Sequence, residues 1–278
     1  MDFKNIADYE EYLSNYDKRD KVISSEDMLE KIKNDPINEI KFSCGIPTLD
    51  RYMEGFEGGE LIVVAGATKH GKSLLCQTMT NNMASKGVMS LWFSYEMPIK
   101  QFVRRFPKLP LFFLPQTIEG NAMAWIESKI WESKIKYGVK AVFIDHLHFL
   151  FDLVQNGNVS LQIGMLMRQL KNLAMKHNIV IFLIAHLKKV KLEESPTLDD
   201  LRDSSFIGQE SDSVIMIARK LEGGEYKNEA KIYVQTHRRT GVMGKSLVVN
   251  FKDGLFYEQT NELVEQAKLI FNGKEIYD

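Results

Sequence analysis

The sequence predicts an α/β fold, with a mainly parallel central sheet flanked by helices and a short helical extension at the N-terminus. Three observations carry that expectation. From Gly45-Ile46-Pro47-Thr48-Leu49-Asp50 onward, apolar runs alternate with helical patterns, the order that parallel strands and crossover helices produce. The first five runs are mostly continuous in apolar side chains, as strands buried on both faces require. One of them, Leu61-Ile62-Val63-Val64-Ala65, leads directly into Gly66-Ala67-Thr68-Lys69-His70-Gly71-Lys72-Ser73 and then into the helical Leu74–Met79. That is a strand, loop and helix around the pattern G-x-x-x-x-G-K-S.

The elements follow in order. Residues 1 to about 40 carry an excess of acids and show helical spacing at Phe3, Ile6, Tyr9, Leu13 and Tyr16, with Asp2 as the N-cap. A second helix is expected from Ser25 to about Lys33, ending before Asp35-Pro36. Such helices need a surface to lie on, either this chain's main domain or a neighbouring subunit. The expected domain limits are therefore 1–40 for a helical extension or linker and 41–278 for the main α/β domain. Strands are expected at 61–66, 88–95, 110–114, 140–145, 179–185, 212–218, 230–236 and 245–250, and helices at 73–86, 98–106, 120–137 and 160–177.

Composition narrows the function classes. The chain has 278 residues, 44% of them hydrophobic and 26% charged, enough for one large core and unlike a disordered or fibrous chain. Its net charge of −1 excludes a generally basic nucleic-acid coat but leaves room for a local basic stripe. No window offers a membrane span, and Met1-Asp2-Phe3-Lys4 suits neither a signal nor a transit peptide, so a soluble, cytoplasmic protein without membrane contact is expected. Cys44 and Cys76 cannot build a disulfide framework.

In the G-x-x-x-x-G-K-S loop, glycines let backbone N–H groups curl around phosphate oxygens, and the following helix turns its positive end to the same anion. Gly66, Ala67, Thr68, Lys69, His70, Gly71, Lys72 and Ser73 are the expected nucleotide-binding residues, Lys72 meeting the β/γ-phosphates and Ser73 ligating Mg²⁺. Lys140-Ala141-Val142-Phe143-Ile144-Asp145 delivers a carboxylate to the C-terminal end of a strand, the edge where open α/β sheets bind ligands, and Asp145 is the second expected metal residue. Val88–Tyr95 ends in Glu96, a candidate general base for the water that attacks a γ-phosphate. Ile179–Ala185 ends in His186, a polar group at the same edge, and Lys188, Lys189 and Lys191 open a long polar stretch that either contacts nucleic-acid phosphates or is a solvated surface loop. Near the C-terminus, His237-Arg238-Arg239-Thr240-Gly241 is a basic turn. Arg238 could enter a neighbour's phosphate site or remain a surface charge.

Taken together, these segments resemble the RecA-like motor domain of superfamily 4 hexameric helicases, the DnaB family with its phage and Twinkle-type relatives. The likeness runs from about Gly45 to Phe256. It is carried by Gly58-Gly59-Glu60-Leu61 ahead of the P-loop, Phe93-Ser94-Tyr95-Glu96-Met97-Pro98 with Arg104, and Ile144-Asp145-His146-Leu147. Ile184-Ala185-His186-Leu187-Lys188, Asp200-Leu201-Arg202-Asp203-Ser204 with Gln209 and Asp212, and Arg238-Arg239-Thr240-Gly241 complete it. The resemblance implies a RecA-like P-loop NTPase fold, ATP and Mg²⁺ as cofactors, and ATP-driven unwinding during DNA replication. It implies Glu96 as catalytic carboxylate, His186 as γ-phosphate sensor and Arg238 as an arginine finger acting on an adjacent subunit. Partners implied are single-stranded DNA in the channel of a homo-oligomeric, hexameric ring, near Lys188, Lys189, Lys191 and Arg202, and a primase or other replisome protein. His186 and Asp145-His146 look like the phage and Twinkle branch, and the location implied is the cytoplasm of a bacterium or phage-infected cell. Thr236 stands where the family usually has a lysine, and only about forty residues lead into the motor segment. Two other classes remain open: a RecA- or KaiC-like ATPase that assembles as a scaffold without unwinding, and a small-molecule P-loop kinase, against which the water-positioning Glu96 stands.

Overall fold

The computed structural model describes residues 6–15, 21–34, 40–118, 123–147, 150, 159–187, 195–201 and 204–258. The chain divides into two units, Met1–Glu39 and Ile40–Asp278. The first holds α1 (Ile6–Ser14) and α2 (Ser25–Asn34). The latter begins where it does because Ser24 and Asp27 cap each other: the Ser24 hydroxyl accepts the Asp27 N–H at 3.0 Å and the Asp27 carboxylate faces the Ser24 N–H at 3.4 Å. Ile6 and Leu13 of the first helix and Met28, Leu29 and Ile32 of the second are exposed. The expected cap Asp2 and the positions Phe3, Tyr16 and Asp35-Pro36 lie outside the described residues.

The second unit opens with a two-stranded ribbon, β1 (Lys41–Phe42) and β2 (Phe56–Glu57), around a helix α3 (Pro47–Met53) that starts on proline. Then come β3 (Leu61–Gly66), α4 (Lys72–Ser85), β4 (Ser90–Ser94), α5 (Ile99–Arg104), α6 (Met123–Tyr137), β5 (Ala141–Asp145), α7 (Val159–His177), β6 (Val180–His186) and α8 (Ser204–Glu210). The chain continues with β7 (Ser213–Glu222), β8 (Glu225–His237), β9 (Met243–Lys252) and β10 (Leu255–Tyr257). The eight-stranded sheet has the order β10-β9-β8-β7-β3-β6-β5-β4. Pairing is parallel from β7 to β4 and antiparallel from β7 to β10.

The change of direction has a local cause. Gly223 and Gly224, both at positive φ (62° and 82°), form a two-residue turn between β7 and β8, and such hairpins join only antiparallel strands. Burial explains the rest. Every residue of β3, β4 and β5 is buried, and β3 sends Ile62 and Val64 into one core and Leu61, Val63 and Ala65 into the other. The first core takes residues of α3, α4 and α5, and the second those of α6, α7 and α8.

One expected strand is absent. Residues 110–114 make a single bridge, Phe113 to Leu91, with Phe113 exchanging bonds with Ser90 O and Trp92 N at 2.8 Å each. Pro110 and Pro115 bracket the segment and have no N–H to extend a ladder. Conversely, α3, α8, the ribbon and β10 were not expected; each is short and carries too few residues for a readable period.

The C-terminal antiparallel arm is fastened through Arg239. Its guanidinium donates to Glu60 Oε1 at 2.9 Å and to the Met53 and Gly55 carbonyls at 2.8 Å, and pairs with Glu57 at 3.1 Å. Burial would raise the Glu60 carboxyl, yet hydrogen bonds from His237, the Glu57 backbone and Arg239 hold it below the usual carboxylate range. The adjacent Arg238 is exposed, and among the described residues its guanidinium donates only to the Gln209 carbonyl. Arg239→Ala is therefore expected to lower stability by about 2–3 kcal/mol and Arg238→Ala by less than about 1 kcal/mol, measured as urea denaturation of the two variants. Equal losses would show that Arg239 does not hold the arm.

Candidate active site

Four neighbouring strands end at one rim of the sheet. The register pairs Gly66 with His186 and Ser94 with Asp145, so the P-loop, His186, Asp145 and the segment leading to Glu96 leave the ends of β3, β6, β5 and β4 side by side. The loop itself is a tight cradle. A Cβ on Gly66 would stand 2.6 Å from the Ile217 carbonyl, and Gly71, at φ 97°, would set one 3.0 Å from the Phe256 ring. Gly71 is also the N-cap of α4, whose first N–H groups face the loop.

Lys72 is buried and donates to the Ala67 carbonyl at 3.0 Å. Burial lowers its ammonium from the ordinary value, while the charges of Asp145 and Glu96 pull it back up, which places all three within electrostatic reach. The Ser73 hydroxyl donates to Asp145 Oδ2 at 2.8 Å. Asp145 is 0% exposed, and its Oδ1 is buried with no hydrogen-bond partner. Its pKa is pushed up to about 6, chiefly by burial and then by Glu96, against the Ser73 hydrogen bond and the Lys72 charge.

Glu96 sits on the loop after β4 with its side chain 43% exposed, and His146 Nδ1 is 3.9 Å from its Oε2. The His146 and His186 rings meet edge to face, centroids 4.4 Å apart. On the other side of the loop, His70 is held by the β7–β8 hairpin. The Arg219 N–H donates to its Nδ1 at 3.2 Å, the Tyr226 hydroxyl lies 3.5 Å from Nε2, and the Arg219 guanidinium stacks 5.3 Å above the Tyr226 ring. Burial and the nearby Lys72 and Arg219 charges lower the His70 pKa.

The structure thus brings Lys72, Ser73, Glu96, Asp145 and His186 together and leaves Arg238 apart. Arg238 follows His237, which pairs with Ser213, and Ser213 pairs with Ile62 at the opposite end of β3. At roughly 3.3 Å per residue, that end is on the order of 15 Å from the loop. The expected nucleic-acid contacts Lys188, Lys189, Lys191 and Arg202 all lie outside the described residues. Sequence reasoning gave no role to Arg219, Tyr226 and Phe256, which hold the loop from distant strands. It noted His146 only for its place after Asp145, and that adjacency was the one available signal. Among the described residues no helix is long and apolar enough to cross a membrane.

A family model described as the DnaB-like helicase C terminal domain matches residues 42–109 and 108–256. The chain is 24% identical over 253 residues to the probable replicative DNA helicase of Trieres chinensis, an alignment covering 74% of this chain and 55% of that protein. It is 27% identical over 252 residues to the replicative DNA helicase DnaB of Mycoplasma pneumoniae, covering 75% and 53%. The chain therefore spans about half the length of these curated relatives (55% and 53%). Among solved structures, the ATPase domain of a DnaB-like phage helicase superposes with a TM-score of 0.71 at 22% identity, covering 84% of this chain and 96% of that one. A DnaB-like replicative helicase, described with its interactions with primase, superposes with a TM-score of 0.69 at 20% identity, covering 92% and 71%. Both share the RecA-like fold described above.

The buried Asp145 makes stability depend on pH. Its folded pKa, about 6, lies above the ordinary 3.8, so the folded state binds more protons between those values and stability falls as pH rises through that window. The neutral Asp145→Asn variant is expected to be more stable than the parent by about 1–3 kcal/mol at pH 7 without nucleotide, the advantage vanishing toward pH 4. Urea midpoints across pH check this, and a parent protein whose stability rises from pH 4 to 6 as steeply as the variant's would refute it.

Proposed function

Because this chain belongs to the DnaB-like helicase C terminal domain family, we propose that it hydrolyses Mg²⁺-bound ATP at the Lys72–Ser73 loop and uses that cycle to move along single-stranded DNA as a ring-forming replicative helicase. The observation that carries this reading is the meeting of Lys72, Ser73, Glu96 and Asp145 at one strand rim, with the Ser73 hydroxyl 2.8 Å from Asp145. The residues fit a hard divalent cation: an all-oxygen pair, one member a fully buried carboxylate whose Oδ1 has no hydrogen-bond partner. Ser73 and Asp145 would hold Mg²⁺, which when bound neutralises charge on the phosphates.

This chain's own groups then do the following. Backbone N–H groups of the loop and of the first turn of α4 grip the phosphate oxygens, and Lys72 turns its ammonium from Ala67 to the β/γ-phosphates. Glu96 lies beyond Asp145 on a half-exposed loop, where its carboxylate accepts a hydrogen bond from the attacking water and aligns it. His186, level with Gly66 in the register, senses the γ-phosphate. Arg238 cannot serve its own loop from the far end of the sheet; in a ring it serves the neighbour's. A primase or other replisome protein as partner, and a cytoplasmic setting in a bacterium or phage-infected cell, belong to the same proposal.

ATP hydrolysis stimulated by single-stranded DNA, with displacement of a strand from a forked duplex, is the expected result. ATPase unaffected by DNA, with no displacement, would remove the motor. Glu96→Gln is expected to retain nucleotide binding while turnover falls about 10²–10⁴-fold. Arg238→Ala should lose about 10³-fold or more, and mixing it with Lys72→Ala protein should restore part of the activity. Failure of that rescue sinks the action of Arg238 on a neighbour.

A further inference from the structure

We propose that Glu96, His146 and His186 form a second cation site, for a borderline transition-metal ion such as Zn²⁺, distinct from the oxygen pair of Ser73 and Asp145. One ligand atom from each of the three residues lies within 4.8 Å of the other two. The sheet sets two of these positions: His186 ends β6 and His146 follows β5, its direct neighbour, so the imidazoles are spaced by the interstrand distance, with ring centroids 4.4 Å apart. Glu96 comes from the loop after β4, the next strand over, and its Oε2 is already 3.9 Å from His146 Nδ1.

Ligands bound to one Zn²⁺ at about 2.0–2.1 Å sit roughly 3.3 Å from each other, so the three must close in by about an ångström or less. Glu96 can make that adjustment, because its side chain is 43% exposed on a loop, whereas the histidines stand at strand ends. Two imidazoles and one carboxylate suit Zn²⁺, Co²⁺ or Ni²⁺ and match Mg²⁺ poorly, which keeps the two cation positions chemically separate. Three protein ligands leave the fourth position for water. Beside it, a cavity of about 670 Å³ lined by Tyr95, Glu96, Lys100 and Gln116 opens to solvent.

The site stands on this geometry alone. Its consequence rests on the hydrolysis reading above: a Zn²⁺ ion on the Glu96 carboxylate takes the oxygen that would align water, so the zinc-loaded protein holds ATP and turns it over slowly.

Titration of the full chain with Zn²⁺ alone, followed by calorimetry without nucleotide, tests the site. One equivalent per chain is expected, unaffected by excess Mg²⁺, and weakened about tenfold or more by His146→Ala. Sub-stoichiometric binding, or His146→Ala binding as tightly as the parent, overturns it. Co²⁺ added to the unaltered protein provides a measurement that needs no variant. Intense visible bands of a four- or five-coordinate ion, lost when Zn²⁺ is added, support the site, and the pale spectrum of the hydrated ion overturns it. No ATP enters either measurement, so normal turnover in Glu96→Gln would end the base assignment and leave the metal result standing.

Discussion

A carboxylate with no exposure to solvent stands at the end of β5, and the arrangement around it answers the problem of keeping charge in that place. An isolated ion there would cost several kcal/mol, and burial pushes Asp145 up to about 6 accordingly. The Ser73 hydrogen bond and the Lys72 ammonium oppose that push without cancelling it. Lys72 has the mirror-image problem, since burial lowers it and the Asp145 and Glu96 charges restore it. Each of the two buried charges is thus tolerable because the other is present. A cation held by Ser73 and Asp145 would favour the ionised carboxylate further, which is why that pair is the natural place for one in the proposed cycle.

The sheet makes this possible by topology rather than by any single contact. Parallel strands joined by helices all point their C-terminal ends the same way, so loops after β3, β4, β5 and β6 meet without long excursions. The continuous apolar runs that make those strands central also remove water from the base of the site, which strengthens every charge interaction there. The antiparallel arm adds a brace from the other side. The β7–β8 hairpin reaches past the loop and grips His70 through Arg219 and Tyr226, while Phe256 of β10 closes against Gly71. A loop built from glycines for its conformational freedom is in this way held by partners from elsewhere in the chain.

Much of this was legible in the sequence because its signals are local. A strand of five apolar residues running into Gly66 and Lys72, or a strand ending in Asp145, announces both the element and the edge to which its last residue belongs. The parallel half of the sheet followed from the same continuity. What stayed hidden depends on partners far apart in the chain: Tyr226 is 156 residues from the His70 it contacts, and Thr78 receives the Phe256 N–H across 178 residues. Segment 110–114 misled because its apolar content suits a strand, while the prolines beside it deny the backbone donors a strand needs. His146 was visible only as a neighbour of Asp145; that its ring would face both Glu96 and His186 comes from the order β6-β5-β4, which no local pattern encodes.

Arg238 and Arg239 show how adjacent residues of one type acquire different work. Arg239 folds back onto Glu60, Glu57 and two carbonyls and is spent on holding the arm. Arg238 projects from the same turn, exposed, its N–H bonded to the Asp212 carbonyl. The fastening of one fixes the direction of the other. In the proposed motor that matters, because Arg238 lies at the end of the sheet opposite the nucleotide loop, and no rearrangement that preserves β7 and β8 can bring it to its own Lys72. A rigid sheet with its catalytic carboxylates at one end and a projecting guanidinium at the other is chemically incomplete as a monomer. Head-to-tail packing brings the two ends together between copies, and an interface of that heterologous kind closes into a ring when the rotation per subunit divides the circle. The same rigidity would let hydrolysis in one subunit be felt in the next, since the group that stabilises the transferring phosphoryl is anchored to the neighbour's sheet through Arg239.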